Sequence, residues 1–205
     1  AILQVILVCG IPTQILAGLD DAMRLLTGGS HALMPRQQTL EASIAWSVDL
    51  LSENERRVLA RLSVFRGGCT LDAAEAVCSD ETLGTYEVFD ALDRLVDHSL
   101  VTVTDTEIGT RFAMLETVAQ FGARILSDLG DDQATRDRHC AWFTAMIESW
   151  YERTYVERLE LATAVLADDA NANTAFDHLV AHGDLERAGR LLLPFNDLVE
   201  SPSAS

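Results

Sequence analysis

The feature that most constrains this 205-residue chain is a change of hydrophobic period at Leu100. Upstream, apolar residues recur at helical spacing: Val58, Leu59, Leu62 and Phe65 in one segment, then Val88, Phe89, Leu92, Leu95 and Val96 in another. Such spacing lines one face of a helix, whereas strict alternation lines one face of a strand. Leu100-Val-Thr-Val-Thr104 is β-branched and alternating, and so is Arg111-Phe-Ala-Met114. Between them Asp105–Gly109 reads as a Gly-containing hairpin loop. A lone hairpin is marginal in water, so this one must pack on the preceding helices.

Start and stop signals divide the helical part. Thr39 can cap a helix through Leu51, with Leu40, Ile44, Val48 and Leu51 on one face. Ser52-Glu-Asn-Glu55 fits a capping box, in which hydroxyl and carboxylate each satisfy a free backbone N–H. The helix it opens stops at Gly67-Gly68. Thr70 caps Leu71 to Cys78, and a longer helix runs from about Tyr86 to Asp97. Three helices and a two-stranded hairpin, in that order, are the layout of a winged helix-turn-helix. Beyond it a helix from Leu115 to Leu129 ends at Gly130, and further helices are expected at 133–153, 156–167, 171–182 and 184–194, the last capped by Asp184. Paired helices of this size suggest antiparallel, tetratricopeptide-like repeats. The expected fold class is therefore mainly α, a winged helix over 35–130 followed by helical repeats over 131–200. Before it lie a short helical pattern at 13–26 and a Gly- and Pro-bearing linker at 27–35. The tail 201–205 reads as disordered.

Candidate chemistry is sparse. All 15 basic residues are Arg, which excludes a lysine Schiff base and the phosphate loop G-x-x-x-x-G-K-[ST]. His178 and His182 stand at i, i+4, a zinc-competent spacing, but Leu179 replaces the metalloprotease Glu and no third ligand is evident. His139-Cys140 is weaker, with Cys140 on an apolar stripe. Cys9, Cys69, Cys78 and Cys140 are widely spread without C-x-x-C, which suits buried thiols in a reducing cytoplasm. The apolar opening, Ala1 to Gly10, is too short to span a membrane, so no membrane partner is expected. Trp46, Trp142 and Trp150 lie in helical patterns and read as core or interface anchors. No catalytic, cofactor-binding or metal site is expected in this chain.

Charge bears on DNA. The net charge is −17. A winged helix that reads DNA inserts its third helix into the major groove and draws affinity from phosphate neutralisation. Here that helix carries Glu87, Asp90, Asp93 and Asp97 against Arg94 alone, and the wing loop adds Asp105 and Glu107. The near-neutral stretch is 36–66, with five Arg against four acids. A protein–protein role is therefore expected ahead of DNA binding. The alternative is DNA binding through the cluster Arg56, Arg57, Arg61 and Arg66.

Several phrases carry a family resemblance: Leu19-Asp-Asp-Ala-Met-Arg-Leu-Leu-Thr-Gly-Gly29, Pro35-Arg-Gln-Gln-Thr-Leu40, Arg61-Leu-Ser-Val-Phe65, Gly67-Gly-Cys-Thr-Leu-Asp-Ala-Ala-Glu-Ala-Val77, Leu95-Val-Asp-His-Ser-Leu100 and Leu115-Glu-Thr-Val118. Over about residues 15–195 the chain resembles the bacterial STAND-type signalling ATPases related to AfsR and large LuxR-type regulators. The resemblance implies an order of nucleotide-binding domain, winged helix, then tetratricopeptide-like repeats. Residues 1–34 would close the upstream nucleotide-binding region. The winged helix would be a hinge packing on that domain in cis, and the repeats would take a protein partner or small effector. ATP or ADP would belong to the full-length protein, and DNA to another domain. Related ATPases place a Met-His-Asp motif where this chain has Met114-Leu115-Glu116, and Leu115 cannot donate a hydrogen bond to phosphate, so nucleotide sensing is not carried over.

Overall fold

The computed structural model describes residues 42–106 and 109–191. The expected helix at 13–26, the linker, the Thr39 cap, Cys9 and the 201–205 tail lie outside the described residues. The chain divides into two compact units, Ala1–Ala45 and Trp46–Ser205. Residues 42–49 are helical.

Within the second unit the order is α1 (Glu53–Leu62), α2 (Leu71–Cys78), α3 (Thr85–Asp97), β1 (Thr102–Thr106), β2 (Gly109–Ala113), α4 (Glu116–Leu129), α5 (Asp132–Tyr151), α6 (Tyr155–Ala167) and α7 (Asp169–Ala181). Helix resumes at 185 and continues to 191, the last described residue.

The caps form as the residues dictate. The Ser52 hydroxyl accepts from the Glu55 N–H, while the Ser52 N–H donates to Glu55 Oε2 at 2.8 Å. Thr70 Oγ1 accepts from the Ala73 N–H at the start of α2. α1 ends at Leu62, four residues short of the expected stop at Gly67-Gly68. Val64 and Phe65 continue it only as tight i→i+3 turns, and the chain then passes through two left-handed glycines, Gly67 and Gly68. Gly68 cannot be replaced cheaply, since an added Cβ would lie 2.6 Å from the Phe112 carbonyl oxygen.

The hairpin sits two residues further along β1 than the alternation indicates. Leu100 and Val101 are buried and donate their N–H groups to the Leu95 carbonyl, closing the end of α3 through Ser99 at φ 57°. They are consumed by the turn and cannot join the ladder. The polar end of β1 pairs instead: Thr106 faces Gly109 and Asp105 faces Thr110, with Thr110 Oγ1 donating to Asp105 at 2.8 Å and Thr106 Oγ1 to the Gly109 carbonyl at 2.7 Å. Cys69 then pairs with Phe112 through reciprocal 2.8 Å hydrogen bonds, tying the wing to the chain before α2.

The core comes from the inward stripes: Leu59 and Leu62 of α1, Val77 of α2, Val88, Leu92 and Leu95 of α3, and Val118, Ile125 and Leu126 of α4 are buried. Fully burying each such side chain stabilises the fold by about 1.5–3 kcal/mol. α4 packs on α1, and its Gly122 lets the two backbones approach. α5 packs on both α2 and α7, so the later helices are built onto the winged helix within one unit. Several apolar positions expected on buried stripes are not buried: Phe89 is half-exposed, and Leu115, Leu129, Leu166 and Leu185 are exposed; Trp46 is exposed too, so it is no core residue of the described structure.

Candidate nucleic-acid and partner interface

The turn joining α2 to α3 is held by one carboxylate and two arginines. Asp80 accepts from the Thr82 N–H at 2.7 Å, the Thr82 hydroxyl at 2.8 Å and the Leu83 N–H at 3.0 Å. Arg61, 3% exposed, reaches the same carboxylate with Nη2, donates from Nη1 to the Cys78 carbonyl at 2.6 Å, and from Nε to Asp131 Oδ2 at 2.6 Å. Arg57 Nη1 donates to Thr82 Oγ1 at 3.0 Å, and its Nη2 pairs with Glu53. Burial alone would raise the Asp80 pKa, but the hydrogen bonds from Thr82 and Arg61 outweigh it and hold the carboxyl far below its ordinary range.

The four arginines proposed for DNA thus have different fates. Arg56 is exposed near the start of α1, and Arg66 is exposed beyond its far end, 3.9 Å from Glu116. Arg57 leans on the turn and is half-buried. Arg61 is enclosed by its carboxylates and is not available to a phosphate. The structure does not gather the four on one surface. Sequence spacing placed Arg57 and Arg61 beside Arg56. The signal for their structural role was Asp80-Glu-Thr82, an acid and a hydroxyl in a tight turn that require donors.

The surface where DNA contact would be expected is acidic. On α3, Glu87, Asp90, Asp93 and Asp97 are all exposed, with Arg94 the one cation of that helix. Arg94 stands 3.9 Å from Asp97. In the wing, Arg111 turns inward and pairs with Asp168 at 2.8 Å, leaving no exposed cation on the described strands. A cavity of about 220 Å³ lies where the end of α1, the base of the hairpin and the start of α4 meet, lined in part by Phe65, Arg66, Phe112 and Met114. Leu115 is the exposed N-cap residue of α4.

The other candidates resolve simply. His178 and His182 stack with ring centroids 4.2 Å apart, and His178 Nε2 lies 2.8 Å from Asp137 Oδ1. No group of three metal-ligating side chains occurs among the described residues. Cys69, Cys78 and Cys140 are buried free thiols, and burial pushes the Cys78 thiol up to about 12. Among the described residues no helix is long and apolar enough to cross a membrane.

Residues 51–127 match the family model described as a winged helix-turn-helix domain. This segment is a winged helix-turn-helix domain. The match spans α1 to the last turns of α4, so the winged helix includes the helix after the wing. The chain is 37% identical over 180 residues to a Mycobacterium tuberculosis protein bearing the name "Putative HTH-type transcriptional regulator", covering 88% of this chain and 20% of that protein. A Mycobacterium bovis protein of the same description matches to the same extent. An uncharacterised Mycobacterium tuberculosis protein is 38% identical over 129 residues, which cover 62% of this chain and 33% of that protein. The chain spans about a fifth of the length of the first of these relatives. No solved structure matches it.

Proposed function

We propose that this chain is the winged-helix and helical segment of a transcription regulator, working by binding and without catalysis of its own. The observation that carries this is the winged helix-turn-helix over 51–127, set in a stretch similar along most of its length to HTH-type regulators. Direct DNA contact is the form of the role that these similarities favour. Of the four arginines of the cluster, Arg56 and Arg66 are available for it, with Arg57 in part, so the phosphate contact proposed for this cluster falls to α1 and its flanking loop. α3, with its four acids, stays out of the groove.

Anisotropy titration of the full chain against labelled mixed-sequence duplex tests this. Three phosphate contacts give a slope of log affinity against log salt of roughly −2 to −3, and replacing Arg56 and Arg66 by Gln flattens it by about 2. Absence of binding at about 50 mM salt, where phosphate contacts are strongest, removes direct contact.

The second reading is a regulatory hinge that contacts protein, favoured by the charge of α3 and the wing. Its finer version, a relay of nucleotide state from an upstream ATPase domain to effector-binding repeats, rests on the family resemblance; the names of the relatives carry neither ATPase nor repeat.

A further inference from the structure

The outer face of α3 combines two properties that a merely solvated helix lacks. Its inner face buries Val88, Ala91, Leu92 and Leu95. Its outer face presents Tyr86, 73% exposed, and Phe89, 46% exposed, one turn apart. Exposed aromatics in adjacent positions mark contact surfaces, because each removes a large, rigid apolar area from water when covered. The same helix bears Glu87, Asp90, Asp93 and Asp97 in the open. A groove of about 280 Å³ runs between α3 and the start of α1, lined by Glu55, Glu87, Asp90 and Asp93, with Arg94 its one cation. Glu55 is engaged by the Ser52 N–H, and Arg94 offsets Asp97, which leaves Glu87, Asp90 and Asp93 as surplus negative charge beside the aromatics.

We propose that this face docks a basic segment of a partner protein. Arginine or lysine side chains of that segment lie along the groove toward Glu87, Asp90 and Asp93, and an apolar side chain covers Tyr86 and Phe89. Charge complementarity selects this occupant. A DNA duplex and a second copy of the same face both bring negative charge against negative charge, which is repulsive at contact distances and unscreened within a Debye length of about 8 Å. The proposal rests on the reading that α3 stays out of the DNA groove, and it adds what α3 is exposed for.

The test is amide chemical-shift mapping of the full chain with an arginine–leucine peptide, and separately with duplex DNA. The expected result is perturbation confined to α3 and the start of α1. Affinity should fall about tenfold when Asp90 and Asp93 are both changed to Asn, two surface charge contacts at the upper end of their usual strength. It should also fall when Tyr86 and Phe89 are both changed to Ser. Because the whole chain is acidic, the control is Asp72→Asn with Asp128→Asn, which should leave affinity unchanged. Perturbation spread over the acidic surface, or equal weakening by the control pair, overturns the docking face. Perturbation of α3 amides by duplex DNA overturns the reading beneath it. All these positions are exposed, so an unchanged circular dichroism melt certifies each variant as folded.

Discussion

At the scale of single residues, the informative side chains are the polar ones that folding takes out of water. Arg61 shows the limit of reading charge from sequence. It stands one helical turn from Arg57 and looks like part of a basic patch, yet Asp131, seventy residues away, and Asp80 close around it. Nothing in local spacing reveals a partner at that separation. His139 is a second case, and it yields a pH prediction. Its ring lies between Phe65 and Phe143, with centroids 5.2 and 4.7 Å away, and Nε2 donates to Asn171 Oδ1 at 3.3 Å. Burial pushes its pKa down to about 4; the bond to Asn171 opposes this, and the positive charge of Arg136 adds to it. The unfolded imidazole titrates near 6.5. Above that value both states are neutral and the stability is intact. As pH falls toward 4 the unfolded chain takes up a proton that the folded one refuses, and stability is lost. Between pH 7 and pH 5 the loss is about 2 kcal/mol. Urea unfolding at the two pH values should show it, and His139→Gln should remove most of it; an unchanged difference in that variant would place the effect elsewhere.

At the scale of elements, what was legible was whatever local chemistry fixes. The Ser52/Glu55 box, the Thr70 cap, the left-handed Gly130 and the Asp184 cap are all where a reader of the chain would put them, because each depends on residues within four positions. The hairpin register was not legible, since Leu100 and Val101 have strand-like side chains that the end of α3 buries first. Helix spacing was not legible either. Gly122 reads as a weak point inside α4, where Ala would ordinarily stabilise by about 1 kcal/mol. In the structure an added Cβ would stand 2.9 Å from the Leu59 carbonyl oxygen and 3.2 Å from the Ser63 Cβ. Both belong to the packed run of α1 and the turn after it, so neither can swing away as a flexible side chain would. Overpacking of this kind costs about 1–3 kcal/mol and outweighs the propensity gain. Gly122→Ala should therefore lower the melting temperature. Gly189→Ala, in a helical position where an added Cβ meets nothing within 4 Å, should leave it unchanged or raise it. Equal shifts in the two variants would show that helix propensity, not the α1–α4 approach, decides the outcome.

At the scale of the whole described unit, the question is whether the winged helix and the helices after it behave as one body. Sequence punctuation at Gly130 suggests a boundary there, and the contacts run across it. Arg111 of β2 donates to the Gly68 carbonyl and to Asp168, between α6 and α7. Asn171 of α7 donates to that same Gly68 carbonyl at 2.9 Å and accepts from the Arg66 N–H at 2.7 Å. Arg138 of α5 donates to the Val77 carbonyl at 2.7 Å. Wing, loop and later helices therefore share one buried polar knot, whose Arg111–Asp168 pair is only a tenth exposed on either side. Removing one partner of such a pair leaves the other charge buried, which costs about 3–5 kcal/mol, whereas replacing both by apolar residues costs much less. Arg111 Nη1 has no hydrogen-bond partner among the described residues, so the knot is already incompletely satisfied. Asp168→Leu should then destabilise strongly, and Arg111→Met added to it should restore part of the loss. Trp142 and Trp150 lie on α5 and residues 51–127 hold no tryptophan, so fluorescence follows the later helices, while the amide signals of α1 and α3 follow the winged helix. In urea, the two signals should follow one coincident transition in the native chain. A winged helix that merely carried the later helices on a hinge would unfold at a different urea concentration from them, with Asp168→Leu shifting only one of the two transitions. A single transition that moves as a whole in the variant would mean that a signal reaching the later helices is felt at the wing.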